Sequence, residues 1–250
     1  MSFAPSARNA ESDPLSLVLA SQSPRRRRLL RWLGVPFASA CVNTPESLDT
    51  PLAARPAELA ASLAAEKAEA AREAGLGEGA LLLCFDTIVV LDGAVLGKPA
   101  DVDDAWRMLR ALSGRTHQVV TGVAMLAPAD PAPRTLAVTT PVRMRELCDA
   151  DIESWMALGT FLGCAGAYNI EAQVAEVGPA DCYQNVAGLP LCHVYATLVA
   201  AGLATGRLGA SLETPVAACD EALGRRCLLG PKVCGMSRDV HASDPGGRAR

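Results

Sequence analysis

The chain has 250 residues, of which 50% are hydrophobic and 20% are charged, enough for one sizeable α/β domain or two small lobes. Its formal net charge of -4 argues against a general nucleic-acid binder, a class that is normally basic. No apolar run reaches the roughly 18 to 20 residues of a membrane span, and the N-terminus lacks the layout of a signal peptide. The nine cysteines include no Cys-x-x-Cys pair, so we expect reduced thiols and a cytoplasmic protein.

The first informative segment predicts a strand, a turn and a helix. Residues 15–20 are apolar and of strand length, and Ser21-Gln22-Ser23-Pro24-Arg25-Arg26 follows. Ser23 is a good helix cap, and Pro24 suits the first helical position. Serine hydroxyls, loop amides and two arginines at a helix start favour a phosphate site, with Arg25 and Arg26 as its cations. The alternative is a solvated helix face, which is our interpretation of the arginines that follow.

The next segments alternate between helical and strand patterns, which predicts an α/β fold with a mixed, twisted sheet and flanking helices. Pro141 marks the last long strand as an edge or bulged strand. The Asp92-Gly93 pair predicts a hairpin turn. In chain order we expect helix 56–74, strands 81–85, 88–91 and 94–96, helix 103–112, strands 118–126 and 134–146, and helices 151–158 and 189–203.

An acid and a lysine flank the predicted hairpin. Asp86 follows an apolar strand beside the Thr87 hydroxyl, and Lys98 comes after the return strand. An aspartate at such a place can hold a hydrated divalent cation or activate a water molecule. The return strand could bring Lys98 back towards Asp86 or onto a phosphate. The structural alternative is that Asp86 caps a turn and Lys98 is solvated.

The two ends of the chain differ from the middle. Residues 1–14 are interpreted as a flexible leader, and residues 204–250 as an irregular C-terminal extension with weak periodicity. Cysteines at 219, 227 and 234 and a histidine at 241 lie in this extension, but their spacing matches no common zinc pattern. Residues 15–203 are predicted to form the domain.

Taken together, ordered motifs across residues 15–203 resemble the Maf family of nucleoside triphosphate pyrophosphatases. Each motif is short, but the ordered set is specific. The matching segments are Leu19 to Arg26, Glu66-Lys67-Ala68, Asp86-Thr87, Gly97-Lys98-Pro99, Leu112 to Val119, Thr121-Gly122-Val123, Ala165 to Tyr168, Asn185-Val186 and Gly188 to Leu191.

The resemblance implies hydrolysis of a nucleoside triphosphate at the α-phosphorus, giving a monophosphate and pyrophosphate. Family members act on non-standard or pyrimidine nucleotides, with a divalent cation (Mg²⁺ or Mn²⁺), in a cleft between two lobes of a mixed α/β fold. The expected partner is therefore the triphosphate substrate, with no nucleic acid and no membrane. A homodimer is also compatible with the resemblance.

The resemblance also assigns roles to individual positions. Asp86 matches the catalytic acid, Lys98 its lysine partner, and Lys67 the lysine of the long helix. Glu46 falls where the family places an acidic residue, so that Asp86 and Glu46 would hold the cation or take the proton of the attacking water, two roles that the sequence does not separate. The substrate-binding positions are then Ser21, Ser23, Arg25, Arg26, Thr87 and Glu171.

Markers of two family branches are mixed in this chain. Arg25 and Thr87 match the branch that prefers dTTP and UTP, whereas Cys164 and Glu171 resemble the branch that prefers 7-methyl-GTP. A carboxylate at Glu171 accepts hydrogen bonds where the pyrimidine branch has an amide. The second hypothesis for function is therefore a catalytically weak nucleotide-binding regulator linked to cell division. The retention of Asp86, Lys67 and Lys98 favours the enzyme.

Overall fold

The computed structural model describes residues 14–236. Within them, none of the helices is both long and apolar enough to span a membrane. Seven strands form one sheet: β1 (Ser16–Ala20), β2 (Ala38–Ala40), β3 (Ala80–Leu91), β4 (Ala94–Leu96), β5 (Thr116–Leu126), β6 (Arg134–Met144) and β7 (Ala175–Val177). The α-helices are α1 (Pro24–Leu30), α2 (Pro56–Glu73), α3 (Val102–Leu112), α4 (Asp149–Met156), α5 (Tyr183–Val186), α6 (Leu191–Ala200), α7 (Val216–Leu223) and α8 (Gly230–Val233).

The sheet is mixed, as we predicted. Its order is β2-β1-β3-β5-β6-β7, and β4 pairs with the end of β3. Strands β2, β1 and β3 run parallel to one another. The pairs β3–β4, β3–β5, β5–β6 and β6–β7 are antiparallel. Strand β7 pairs with β6 only from Val142 onwards, so at Pro141 the strand β6 has a single neighbour, β5. A proline, which has no N–H to donate, is tolerated at such an edge position.

The central strand β3 separates two packed faces. Its even-numbered residues, such as Cys84 and Ile88, pack on the side of α2, and its odd-numbered residues, such as Phe85, pack in the main core. Helix α2 approaches the sheet most closely at Gly122 of β5, where an added Cβ would lie 1.9 Å from the carbonyl oxygen of Ala60. The glycine therefore permits the close approach of α2 to the sheet.

One edge of β3 is left uncovered in its middle. Strand β1 pairs with β3 from Ala80 to Leu83, and β4 pairs with the same strand from Val89 to Leu91. Across residues 14–236, no strand pairs with this edge between those two segments, whereas β5 covers the opposite edge from Leu82 to Val90. This gap is centred on Asp86, and it forms one wall of the main cavity.

Two sequence-based expectations differ from the structure. We predicted that a strand ends near Phe85 and another begins at Ile88, but β3 is continuous through Asp86. The stretch predicted as an irregular extension contains two short helices, α7 and α8, within the described residues. The predicted leader lies outside the described residues except for Pro14, and so does the extension beyond Met236.

Candidate functional site

A cavity of about 640 Å³ opens at the gap in the edge of β3. It brings together nine of the ten site residues proposed from the sequence, and only Glu171 does not line it. The nine are Ser21, Ser23, Arg25, Arg26, Glu46, Lys67, Asp86, Thr87 and Lys98. Residues separated by more than 70 positions along the chain thus share one cleft.

The centre of this site is a chain of charged groups. Lys67 reaches from α2 to the Asp86 carboxylate and also lies 2.8 Å from Oε1 of Glu46. Lys98, which follows β4, lies 2.6 Å from the same oxygen of Glu46. The side chain of Asp86 is only 3% exposed, whereas that of Lys98 is 48% exposed. The cluster therefore runs from a buried acid to a cation at the cleft surface.

The two carboxylates are shifted in opposite directions. Burial raises the pKa of Asp86, and the nearby charge of Lys67 opposes this shift without cancelling it. Burial also favours a higher pKa for Glu46, but the hydrogen bonds and charges of Lys67 and Lys98 outweigh it and lower that pKa. Glu46 is thus held as a carboxylate, and Asp86 is the stronger proton acceptor of the two.

Asp86 has one oxygen free for chemistry. Its Oδ1 accepts from Lys67, whereas its Oδ2 is buried with no hydrogen-bond partner among the described residues. A buried carboxylate oxygen left unpaired is costly, so its persistence in a cleft indicates that a ligand or water satisfies it.

The two arginines at the start of α1 do different things. The Arg26 guanidinium donates to the carbonyl oxygens of Gly188 at 2.8 Å and Phe85 at 3.2 Å, and to Thr87 Oγ1 at 3.0 Å. Burial lowers its pKa to about 10. Arg26 therefore ties α1 to the open edge of β3 and to the segment before α6.

Arg25 is the more available cation of the pair. The only hydrogen bond of its side chain among the described residues goes to the sulfur of Cys164, at 3.7 Å, and its Nε is buried without a partner. No carboxylate within residues 14–236 forms an ion pair with it. A guanidinium in this state is ready to bind an anion in the cavity.

The two serines shape the loop that carries these arginines. Ser23 caps α1, as predicted, by accepting from the backbone N–H of Arg26 at 3.4 Å. Ser21 accepts from the backbone N–H of Ser23 at 3.2 Å and from Nη1 of Arg26 at 3.4 Å. Both hydroxyl oxygens are therefore acceptors within the loop, and their O–H groups remain donors for a ligand.

Thr87 belongs to a buried network that sequence reasoning missed. Its hydroxyl lies 3.0 Å from that of Thr121, and Thr121 donates to the carbonyl oxygen of Asn185 at 3.0 Å. The Asn185 amide in turn donates to the carbonyl oxygens of Val119 and Val138. Thr121 and Asn185 belong to the short segments that resemble the Maf family, but the sequence assigned no role to either residue. Membership of those segments was the only sequence signal that pointed to them.

Glu171 lies away from the cleft. It forms an ion pair with Arg28 on the outer face of α1, and these side chains are 31% and 50% exposed. The short turn that carries Glu171 is fixed by Asn169, whose side chain accepts from the Glu171 N–H at 3.1 Å. Arg28, which we interpreted as solvated, therefore neutralises the residue that the sequence had placed at the base-binding site.

Part of the cavity lining is uncharged. Val89, Val119, Cys164 and Tyr168 are among its lining residues. The Tyr168 hydroxyl lies 2.7 Å from Nε2 of the buried His117, and burial lowers the pKa of His117 to about 4. His117 itself does not line the cavity.

The charged part of the lining has few ligands for a metal ion. Within residues 14–236, no group of three or more His, Cys, Asp or Glu side chains is arranged to hold one. Asp86 and Glu46 provide two carboxylates that share contact with Lys67, and Oδ2 of Asp86 is unpaired. This donor set fits Mg²⁺ or Mn²⁺, which are bound through one or two carboxylates with phosphate and water completing the shell.

A mixed sheet that places a buried carboxylate beside several cations in an open cleft defines an α/β protein with a site for a phosphate chain. The chain belongs to the Maf family: the family model "Maf-like protein" matches residues 16–201. This confirms the resemblance noted in the sequence.

Curated relatives agree on one activity. A protein of Pelotomaculum thermopropionicum named dTTP/UTP pyrophosphatase is 42% identical over 71% of this chain and 92% of its own length. Proteins with the same name are 40% identical in Chlorobaculum parvum (73% of this chain, 92% of that protein) and 42% identical in Xanthomonas euvesicatoria (74% and 98%). A solved Mycobacterium abscessus nucleoside-triphosphatase, a dITP/XTP pyrophosphatase, covers 53% of this chain and 76% of its own at 16% identity, with a TM-score of 0.34, too low to bear on the argument.

Proposed function

We propose that this protein is a nucleoside triphosphate pyrophosphatase that hydrolyses dTTP and UTP at the α-phosphorus to the monophosphate and pyrophosphate. The observation that carries the proposal is the unpaired Oδ2 of Asp86, buried beside Lys67 in a cleft that also holds Arg25 and Lys98. The names of the 40–42% identical relatives support the activity and the pyrimidine substrates.

The cations of the cleft bind and neutralise the triphosphate. A triphosphate carries nearly four negative charges, and attack by water requires that this charge be offset. Arg25 has no carboxylate partner in the described part of the chain, and Lys98 is half-exposed at the cleft surface. These two side chains therefore contact the phosphate oxygens, and Lys67 holds the acid in place behind them.

Asp86 accepts the proton of the attacking water. Its free oxygen, Oδ2, faces no protein donor, and burial raises its pKa towards the range that suits a general base at neutral pH. Lys67 orients the carboxylate through Oδ1 and opposes that rise, so the base remains ionised. Arg26 and Thr87 keep the edge of β3 at a fixed distance from α1, which positions the base relative to the phosphate-binding loop.

We propose Mg²⁺ or Mn²⁺ as the cofactor, held by Asp86 and Glu46. When bound, the ion would supply further positive charge to the phosphate oxygens. The part of this chain is to present the two carboxylates and to keep Glu46 ionised through Lys67 and Lys98.

The uncharged part of the cavity lining takes the nucleoside. Val89, Val119 and Tyr168 offer apolar contact to a base, and Cys164 lies beside Arg25. A base seated there would place its triphosphate along Arg25 towards Lys98 and Asp86.

The test is a panel of nucleoside triphosphates, with Mg²⁺ or Mn²⁺, assayed for pyrophosphate release. We expect dTTP and UTP to give the highest kcat/KM and the metal-free reaction to be slow. No release of pyrophosphate or orthophosphate from any nucleotide would overturn the proposal and favour the nucleotide-binding regulator. Release of orthophosphate in place of pyrophosphate would also overturn it, because the attack would then be at another phosphorus. A cytoplasmic location and a homodimer stay predictions, which cell fractionation and the mass in solution would check.

A further inference from the structure

Five cysteines lie close together where the C-terminal segment, residues 204–236, packs on the domain. This segment follows the part of the chain matched by the family model, residues 16–201. Four of the five line a second, small cavity: Cys182, Cys192, Cys219 and Cys227. The fifth, Cys234, directly follows α8 and is partly exposed. The proposed hydrolysis uses none of these thiols.

Two of the cysteines lie at the contact between α6 and α8. Cys192 is the second residue of α6, and its sulfur would lie 3.3 Å from a Cβ added to Gly230, the first residue of α8. The backbone N–H of Cys234 donates to the carbonyl oxygen of Gly230 at 2.9 Å, so Cys234 lies one helical turn further along the same face of α8. The contact between the helices therefore places Cys234 on the face of α8 against which Cys192 packs, and the sulfur of Cys227, which accepts from the Gly230 N–H at 3.3 Å, lies beside the same face.

The two thiols have different acidities. Hydrogen bonding from the Cys192 thiol, helped by the Thr214 hydroxyl, lowers the pKa of Cys234 to about 7. The same contact, together with burial, raises the pKa of Cys192. Cys234 is therefore the nucleophile of the pair at neutral pH, and Cys192 is the thiol that resolves it.

We propose that Cys192 and Cys234 are a peroxide-oxidisable dithiol whose disulfide ties the C-terminal segment to the first turn of α6. Helix α6 begins three residues after Gly188, whose carbonyl oxygen accepts from Arg26 in the cleft. The disulfide therefore anchors the C-terminal segment beside a wall of the active site.

The disulfide forms in two steps, through a sulfenic acid. The Cys234 thiolate attacks hydrogen peroxide, its sulfur becomes a sulfenic acid, and the O–O bond breaks to release hydroxide, which is protonated to water. The sulfur of Cys192 then attacks the sulfenic sulfur, the S–S bond forms, and the oxygen leaves as a second water molecule with the proton of Cys192. The two thiols lose two electrons in total, and the peroxide gains them.

Mass spectrometry of the peroxide-treated full-length protein tests the pairing. Combined trypsin and chymotrypsin digestion, without reduction, cuts after Tyr183, Arg207 and Lys232, and so separates Cys192 and Cys234 from their neighbouring cysteines. We expect a peptide pair joined by Cys192 and Cys234, which dithiothreitol separates. Cys192 and Cys234 recovered as thiols, or joined to other cysteines, after peroxide has oxidised the rest of the protein would overturn the proposal.

A variant separates the two chemical steps. Serine at position 192 keeps a hydroxyl donor beside Cys234 but cannot form the disulfide, so Cys192→Ser should accumulate the sulfenic acid, trapped by dimedone on Cys234. The exposed Cys148, which directly precedes α4, gives the control Cys148→Ser, which should still form the disulfide and show no adduct on Cys234. Equal dimedone labelling of Cys234 in wild type and Cys192→Ser would show that Cys192 does not resolve it.

Discussion

The Nζ atom of Lys67 lies 2.8 Å from Oε1 of Glu46 and also hydrogen-bonds to Oδ1 of Asp86, so one ammonium group joins the two carboxylates of the cleft. The lysine comes from α2, and the buried aspartate comes from the middle of β3. The position of α2 on the sheet therefore controls the charge and the orientation of the proposed base.

Removing Lys67 should move the acidic limb of the pH–activity profile to higher pH. Burial raises the pKa of Asp86 and the charge of Lys67 lowers it, so Lys67→Met removes the strongest lowering effect and leaves only the weaker one of Arg26. A base with a higher pKa is ionised only at higher pH, and activity on the acid side falls accordingly. The measurement is kcat/KM for UTP from pH 5 to 9.

Lys98→Met is the matched control for this shift. Lys98 contacts Glu46 and makes no hydrogen bond to Asp86 within residues 14–236. We expect it to lower kcat/KM while moving the acidic limb less than Lys67→Met does. An equal displacement in both variants would show that Lys67 has no special effect on the base.

The close approach of α2 to the sheet predicts that Gly122→Ala is destabilising. The new Cβ would lie 1.9 Å from a backbone oxygen, which the helix can relieve only by moving. Overpacking of this kind typically costs about 1 to 3 kcal/mol, or roughly 2 to 12 °C in Tm. Thermal unfolding measures it, and Gly163→Ala, where an added Cβ meets nothing within 4 Å, should leave Tm nearly unchanged.

The three arginines of α1 should give three different results. Arg25→Ala removes an available cation of the cleft and should raise KM for UTP by roughly 10- to 150-fold, equivalent to about 1.5 to 3 kcal/mol. Arg26→Ala leaves the Gly188 and Phe85 carbonyl oxygens without this donor and should lower the free energy of unfolding by about 3 kcal/mol. Arg28→Ala breaks an exposed ion pair, worth about 0 to 1 kcal/mol.

Kinetics and thermal unfolding of the three variants, measured side by side, distinguish these roles. We expect the increase in KM to be largest for Arg25→Ala and smallest for Arg28→Ala. The decrease in Tm should be largest for Arg26→Ala. Small and equal effects at all three positions would mean that the arginine run is a solvated face.

Glu171→Gln should leave the order of substrates unchanged. The Glu171 carboxylate is paired with Arg28 outside the cavity lining, so its loss does not alter the contacts of a bound base. We expect the ratio of kcat/KM for UTP and GTP to change by less than about twofold, because an exposed ion pair contributes little. A clear shift of this ratio would show that Glu171 enters the base site when substrate binds.

Local signals were sufficient to predict much of the fold. Capping by Ser23, the Asp92-Gly93 turn and the alanine-rich helix α2 are each encoded in a few adjacent residues, and the structure confirms them. The continuity of β3 was missed because a charged residue interrupts its apolar run. Asp86 is tolerated there because Lys67, from another element, pairs with it.

The sequence was sufficient to predict which residues form the site, but not which of them bind the substrate and which stabilise the structure. Arg25 and Arg26 are adjacent in sequence, and only their distant partners, Cys164 for one and Gly188 for the other, distinguish an available cation from a structural one. The displacement of Glu171 from the cavity likewise depends on Arg28, 143 positions away. Such long-range pairings have no local signature in the chain.

The most direct test of the central claim is the hydrolysis of UTP in ¹⁸O-labelled water, with the position of the label found by mass spectrometry. Attack on the α-phosphorus by a water that Asp86 activates places one ¹⁸O in UMP and none in pyrophosphate. Asp86→Asn should lower the rate of this reaction by roughly 10² to 10⁴-fold, whereas Asp92→Asn, at an exposed turn paired with Arg115, should not. Label in the pyrophosphate, or a near wild-type rate for Asp86→Asn, would contradict the account.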